Sequence, residues 1–125
     1  MEPRRLGYLL LIFASMLLSE NADAAEKSAL RVLYLGRDDV ARTGTFREFL
    51  QQHFQTVTTA SRVDFKPADA VDVDAVVLDW PQSERLTGQY ESPLGPLEQW
   101  TVPTVFLGSA GLQMAGPWRI IGGAG

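Results

Sequence analysis

One serine lies in a sequence context that is typical of a nucleophile. Ser109 follows the apolar run 103–108 and stands between small residues, Gly108 before it and Ala110-Gly111 after it. Small residues let the backbone turn sharply from a strand into a helix and raise a side chain above the sheet, beside free N–H groups. A serine nucleophile also needs a base, normally histidine, and the sequence has one histidine, His53. We expect Ser109 to cap a helix and contact a ligand, with catalysis as an alternative.

Three aspartates form a second candidate site. Asp38 and Asp39 follow the first apolar run of the mature sequence, and Asp79 lies near the end of a later one. Brought together, their carboxylates would offer the oxygen ligands that Mg²⁺ prefers. With Ser109 they resemble the acidic pocket of response-regulator receiver domains, which implies Asp79 as phosphoacceptor, although no lysine follows Lys66. We expect solvated loop acids at Asp38 and Asp39 and a hydrogen-bonded Asp79, with the metal site and the receiver as alternatives.

Two further features concern ligands. The segment Arg42-Thr43-Gly44-Thr45 places hydroxyls and a glycine before a predicted helix, where an anion can bind, and Arg37 and Arg42 would attract it. The segment has neither Walker spacing nor the G-x-G-x-x-G pattern, so no nucleotide cofactor is expected. Trp80, beside a loop acid, is a candidate for carbohydrate contact. His53 alone makes no metal site.

Secondary structure must position these residues, and the sequence predicts strands and helices in alternation. Near-continuous apolar runs at 29–36, 74–80 and 103–108 predict strands buried on both faces, and a Thr- and Val-rich stretch at 55–61 predicts another. We also predict helical turns near 67–73 and 97–100, a short helix over 109–115 and a fifth strand over 118–121. Proline and glycine make residues 81–100 mostly irregular.

A longer helix is predicted between the first two strands, over residues 45–54. Thr45 and Glu48 have the spacing of a capping box, in which a hydroxyl and a carboxylate satisfy the first free N–H groups of a helix. The apolar side chains that follow fall on one helical stripe, at Phe46, Phe49, Leu50 and Phe54.

This alternation predicts an open, mostly parallel α/β sheet with helices on both faces, of the flavodoxin-like type. The carboxyl ends of parallel strands share one edge of the sheet, and ligands bind there near the point where the strand order reverses. Three loops should meet at that edge and supply a ligand site. Its predicted residues are Gly36, Arg37, Asp38, Asp39, Asp79, Trp80, Gly108, Ser109 and Gly111.

Residues 103–115 resemble the nucleophile elbow of class I glutamine amidotransferase-like domains, where a glycine-flanked cysteine is followed by Gly-x-Gln. Gly111-Leu112-Gln113 matches that pattern, and Ser109 occupies the cysteine position. The resemblance implies the same fold over residues 29–125 and includes the trehalose-utilisation (ThuA-like) branch. Serine replaces the thiol, and no His-x-Glu pair follows Ser109. We therefore expect that the catalytic residues are not retained, and that the domain is small or truncated.

Residues 1–24 have the three parts of a secretory signal peptide. Arg4 and Arg5 precede thirteen uncharged residues, 6–18, and the small-residue site Ala22-Asp23-Ala24 follows. Thirteen residues make a helix too short to cross a bilayer. We expect export to the periplasm or the extracellular space, transient membrane contact, and a single domain over residues 25–125.

Composition narrows the function further. Hydrophobic residues make up 46% of the chain and charged residues 21%, so a buried core is expected. The absence of cysteine excludes disulfides, thiolate metal sites and a thiol nucleophile. A net charge of −4 without a basic cluster argues against nucleic-acid binding. The sequence predicts an exported, non-catalytic domain that uses no cofactor and binds a small polar ligand or a protein partner. A ThuA-like enzyme acting on carbohydrate-derived substrates and a receiver-like phosphoacceptor are the alternatives.

Overall fold

The computed structural model describes residues 25–37, 40–82 and 92–120. The predicted signal peptide and the loop acids Asp38 and Asp39 lie outside these ranges. The described strands are β1 (Ser28–Gly36), β2 (Phe54–Ser61), β3 (Ala75–Trp80) and β4 (Thr104–Gly108), and the helices are α1 (Val40–His53) and α2 (Ala110–Ala115). Single 3₁₀ turns at Pro67–Asp69 and Leu97–Gln99 confirm the two helical turns predicted there.

The described part of the chain forms a sheet of four parallel strands in the order β2-β1-β3-β4. Strand β1 pairs with β2 on one side and with β3 on the other, so the strand order reverses between β1 and β3. Pairs such as Leu35 with Leu78 and Val77 with Val105 fix the register. The predicted open, parallel, flavodoxin-like sheet is confirmed.

Both faces of the sheet are covered, which explains why the central strands are apolar without alternation. On one face, Val32 and Tyr34 of β1 pack against Phe46 and Leu50 of α1. On the other face lies the larger core, to which α2 contributes Ala110 and Met114; its remaining buried members are Leu33, Leu35, Phe65, Val76, Leu78, Trp80, Leu94 and Trp118. The predicted helices on both faces are therefore confirmed.

Helix α1 begins at Val40, earlier than the predicted start at Thr45. The capping-box prediction is wrong, because the Thr45 hydroxyl lies inside the helix and donates to the Ala41 carbonyl at 3.0 Å. The predicted apolar stripe is correct in part. Phe49 is 53% exposed, and Phe54 is the first residue of β2 because the helix passes into the strand without a loop. The earlier start brings Arg42 into the first turns of the helix.

The predicted fifth strand is also wrong over residues 118–120, because residues 116–119 form a turn after α2 and residue 120 is in no strand. The Trp118 indole N–H donates to the Gly95 carbonyl at 2.8 Å, and its ring packs against Phe106 with the centroids 5.8 Å apart. Trp118 therefore serves core packing and not strand pairing, whereas Ile120 is exposed. Within the three described ranges, no helix is long and apolar enough to span a bilayer.

Candidate functional site

Asp79 lies buried beneath α1 at the carboxyl end of β3. Its neighbours Leu78 and Trp80 belong to the core on the α2 side. The Asp79 carboxylate instead meets Arg42, which donates from Nε to Oδ2 at 2.6 Å and from Nη2 to Oδ1 at 2.7 Å. The Tyr34 hydroxyl donates a short hydrogen bond to the same Oδ2. Two neighbours thus occupy both carboxylate oxygens.

The protonation of this cluster follows from its contacts. Burial alone would raise the pKa of Asp79, but hydrogen bonds from Arg42 and Tyr34, with the charges of Arg42 and Arg62, outweigh burial and hold that pKa below its usual value. Burial and the hydrogen bond to Asp79 raise the pKa of Tyr34. At neutral pH the cluster therefore consists of a carboxylate, a guanidinium and a neutral phenol.

This arrangement bears on the metal and phosphoacceptor alternatives. A metal ion or phosphoryl group could reach the Asp79 carboxylate only if Arg42 or Tyr34 moved away from it. Among the residues that the structure describes, no group of three or more carboxylates or imidazoles is arranged to hold a metal ion. The other two metal candidates, Asp38 and Asp39, lie outside that description.

Ser109 follows the sharp turn from β4 into α2, but the left-handed residue of that turn is Gly108, with φ +63°. A Cβ at Gly108 would lie 2.2 Å from the Trp80 carbonyl oxygen, so the turn requires glycine. The Ser109 amide donates to this carbonyl at 2.7 Å, and its hydroxyl donates to the same oxygen at 3.1 Å. Ser109 occupies the N-cap position of α2 without a side-chain capping bond.

The single histidine lies far from this serine in the fold. His53 ends α1 immediately before the first residue of β2, which places it at the amino edge of the parallel sheet. Ser109 follows the carboxyl end of β4, at the opposite edge. The His53 ring contacts Phe49 edge-on, with centroids 5.0 Å apart. A general base of the His type is therefore not available to Ser109.

Two further predicted ligand residues are Trp80 and Gly36, and both take part in the packing of the fold. Trp80 is buried, and the Arg62 guanidinium lies 4.3 Å from the centre of its ring. A Cβ at Gly36 would approach the Tyr34 ring to 2.7 Å, so glycine makes room for that ring. Sequence reasoning missed Arg62, although its position directly after β2 placed a cation at the carboxyl edge.

An open cleft of about 340 Å³ lies between the first half of α1 and the carboxyl end of β2. Of the described members of the predicted ligand site, Arg37 alone lines this cleft. The described residues that line it are Arg37, Thr43, Gly44, Arg47, Thr59, Ala60 and Ser61. Sequence reasoning missed Arg47, Thr59 and Ser61, because polar residues on a helix and on an edge strand resemble solvated surface. The one sequence pattern close to this cleft is the predicted anion-binding segment at residues 42–45.

Hydrogen bonds fix the walls of this cleft. The Thr43 hydroxyl donates to the Arg37 carbonyl at 2.9 Å and ties α1 to the end of β1. The Arg62 amide donates to the Gly36 carbonyl at 2.7 Å, which joins the ends of β1 and β2. At Gly44 a Cβ would meet no atom within 4 Å, so the cleft is open at that point of the helix.

The chain was compared with protein-family models, with curated proteins and with solved structures, and none of the three comparisons gives a match. The resemblance to class I glutamine amidotransferase-like domains stays a prediction.

Proposed function

We propose that the protein is an exported, non-catalytic binding domain that holds a small polar ligand at the carboxyl edge of its sheet. The observation that supports this proposal is the cleft between α1 and β2, which is lined by arginines and hydroxyls at the edge where ligands of parallel α/β sheets bind. The ligand would contact Arg47 from α1, Arg37 from the end of β1 and Ser61 from the end of β2.

The contacts of the two candidate catalytic residues, Ser109 and Asp79, favour a binding function over a catalytic one. The Ser109 hydroxyl donates to a backbone carbonyl, and the histidine lies at the other edge of the sheet. The Asp79 carboxylate is held by Arg42 and Tyr34, and its lowered pKa makes it a poor general base. Among the residues that the structure describes, neither group has the partner that an acyl-transfer or hydrolytic mechanism needs.

A pair of glycine substitutions tests the location of binding. Gly44 lines the cleft in α1, whereas Gly111 lies in α2, and a Cβ at either position meets no atom within 4 Å. Saturation-transfer NMR on protein produced from the full-length chain would screen neutral sugars, amino acids, carboxylates and phosphate esters. We expect Gly44→Leu to abolish binding of the compounds that bind, and Gly111→Leu to leave it intact.

Three results would contradict the proposal. The first is that no compound in the panel binds. The second is that binding is lost with Gly111→Leu and retained with Gly44→Leu, which would move the site to the α2 end of the edge. The third is turnover of a bound compound that Ser109→Ala abolishes in a folded protein, which would identify an enzyme.

Export has its own test. The full-length chain is expressed in a bacterial host, and the mass of the protein is measured in the periplasmic and cytoplasmic fractions. We expect periplasmic protein that begins at Ala25, after the Ala22-Asp23-Ala24 site. Protein that keeps residues 1–24 and remains in the cytoplasm would contradict export without bearing on the cleft.

A further inference from the structure

Strand β4 is an open edge of the sheet. The strand order is β2-β1-β3-β4, so no described strand lies beyond β4. The Pro103 carbonyl accepts a hydrogen bond from Val76 of β3, and the Ser109 amide donates to the last residue of that strand. Backbone groups of successive residues in a strand point to opposite sides. The odd-numbered residues of β4 therefore bond to β3, and Thr104 and Phe106 direct their amides and carbonyls outward.

The side chains of β4 differ from those of the other edge strand. No residue of β4 is buried, and Val105 is 55% exposed. Val105 pairs in register with Val77, which packs on the α1 side, so Val105 lies on the same face of the sheet. Helix α1 packs on β1 and β2 and leaves β4 uncovered on that face. In β2, by contrast, the exposed residues are threonines and a glutamine.

The distribution of charge indicates what can meet this edge. The chain carries a net charge of −4 and 21% charged residues, yet residues 99–118, which include β4 and α2, contain no charged residue. Two copies of the chain repel each other through their net charge, and least where both present an uncharged surface. A partner of opposite charge gains nothing at this edge, whereas a second copy offers an identical uncharged, apolar strand.

Self-pairing of β4 has a consistent register. Two identical strands related by a two-fold axis run antiparallel. With the axis at Phe106, the outward amide and carbonyl of Phe106 exchange hydrogen bonds with those of Phe106 in the second copy. Val105 then lies opposite Leu107 of the second copy, in a pair without backbone hydrogen bonds, where side chains approach closely. Both side chains lie on the α1 face, so each exposed Val105 is covered.

We propose that the protein forms a homodimer by antiparallel pairing of β4 with β4 of a second copy, which continues the sheet across both copies. The inference goes beyond the proposed binding function, because the cleft lies beside β2, at the other edge of the sheet. A strand of five residues gives a smaller contact than a standard interface, so the dimer is weak and depends on concentration.

The first test is sedimentation equilibrium over a wide range of concentration, on protein produced from the full-length chain. We expect a monomer–dimer equilibrium. Val105→Glu should raise its dissociation constant about a hundredfold, because two carboxylates, one from each copy, would enter an apolar contact. The matched control Val63→Glu adds the same charge after β2, at a position that is 71% exposed, and should leave the dissociation constant unchanged. Circular dichroism checks that both variants are folded.

The second test is disulfide crosslinking, which reports on the register even if Val105→Glu does not fold. The chain has no cysteine, so every disulfide joins introduced residues. An oxidised mixture of the Val105→Cys and Leu107→Cys variants should give a covalent dimer with one of each, identified by its mass. Either variant alone should not crosslink, because its two cysteines lie two residues out of register and too far apart for a disulfide.

Each outcome supports or overturns the inference. A dimer that Val105→Glu weakens and Val63→Glu does not, with the mixed crosslink, supports pairing through β4. A monomer at every concentration overturns it. So does a dimer that the two glutamate variants affect equally, or crosslinking by a single variant without the mixed product. None of these results bears on the cleft, which the Gly44→Leu and Gly111→Leu variants test separately.

Discussion

Two arginines of the same helix have opposite environments. Arg42 points beneath α1 to the buried carboxylate of Asp79, whereas Arg47, five positions later, lines the open cleft beside β2. The first charge is neutralised within the fold, and the second faces a space that a ligand can enter. A cationic side chain near the carboxyl edge of a sheet is therefore weak evidence of a binding site until its partner is known.

The cluster of Asp79, Tyr34 and Arg42 is buried at its Asp79 end and partly exposed to solvent at its Arg42 end. The Asp79 side chain is 1% exposed, while that of Arg42 is 37% exposed. The Arg42 guanidinium also lies 5.1 Å from the centre of the Phe46 ring, which stacks on Tyr34. Among the described side chains, removal of Arg42 would leave the phenol of Tyr34 as the donor to this buried carboxylate, so the fold depends on the Arg42–Asp79 pair more than on a surface ion pair.

The largest expected effect compares the same substitution at the two arginines. Arg42→Gln should destabilise the protein by about 2–3 kcal/mol, less than for a fully buried pair because Arg42 is partly hydrated. Arg47→Gln should change stability by about 0.5 kcal/mol or less, as at other exposed positions. Urea unfolding measures both free energies. Adding Asp79→Asn to Arg42→Gln should recover part of the loss, and equal effects of the two single substitutions would contradict the comparison.

The sequence predicted the sheet better than it predicted this cluster. The apolar runs that became β1, β3 and β4 carry their own signal, because a strand covered on both faces must be apolar throughout. The face to which Asp79 points depends on its register in β3, and its partner depends on where α1 begins. Because the capping-box pattern predicts a helix that starts at Thr45, it places Arg42 before the helix and does not indicate the hydrogen bond with Asp79.

The cleft escaped prediction for a different physical reason. Apart from Arg37, its described residues lie on two elements, α1 and β2, whose contact depends on a crossover that sequence periodicity does not specify. The sequence places Arg47 in a motif that predicts a helix cap, and Thr59 and Ser61 lie in a stretch that predicts only a strand. Arg37 was predicted because it directly follows β1, the one cleft position that sequence and topology locate together.

The next effect concerns the phenol that completes the buried cluster. Tyr34→Phe removes one donor to the ionised Asp79 and keeps an aromatic ring for stacking on Phe46. We expect a loss of about 1.5 kcal/mol in the free energy of unfolding, typical for a hydrogen bond to a charged group. Urea unfolding at pH 7 measures it. An unchanged stability would mean that Arg42 alone neutralises the carboxylate.

The pH dependence of stability sharpens the same comparison. The pKa of Asp79 is lower in the folded protein than in the unfolded chain, so its contribution is complete above about pH 4 and is lost as the pH falls through the folded value. Asp74 behaves likewise at the surface, where hydrogen bonds from Arg31 lower its pKa to about 2. Urea midpoints between pH 7 and pH 2 should fall in the native protein.

Two variants separate the contributions of the buried and the exposed aspartate to the loss of stability in acid. Asp79→Asn should flatten the decline below pH 4, since an amide cannot be protonated there. Asp74→Asn is the control, and we expect it to retain most of the decline because the Asp74 pair is partly hydrated, with side chains 44% and 32% exposed. A profile that changes more with Asp74→Asn would place the acid sensitivity at the surface.

The smallest expected effect concerns the cleft itself. Gly44 is inside α1, where glycine is unfavourable, and a methyl group there meets no atom within 4 Å. Gly44→Ala should therefore raise the free energy of unfolding by about 0.5–1 kcal/mol, measured in urea. The same change at Gly108, where φ is +63° and the Trp80 carbonyl is in the way, should destabilise the protein. A gain at Gly44 would mean that folding does not need the open space beside Arg47, whereas a loss would show that the fold uses this space and that it is not free for a ligand.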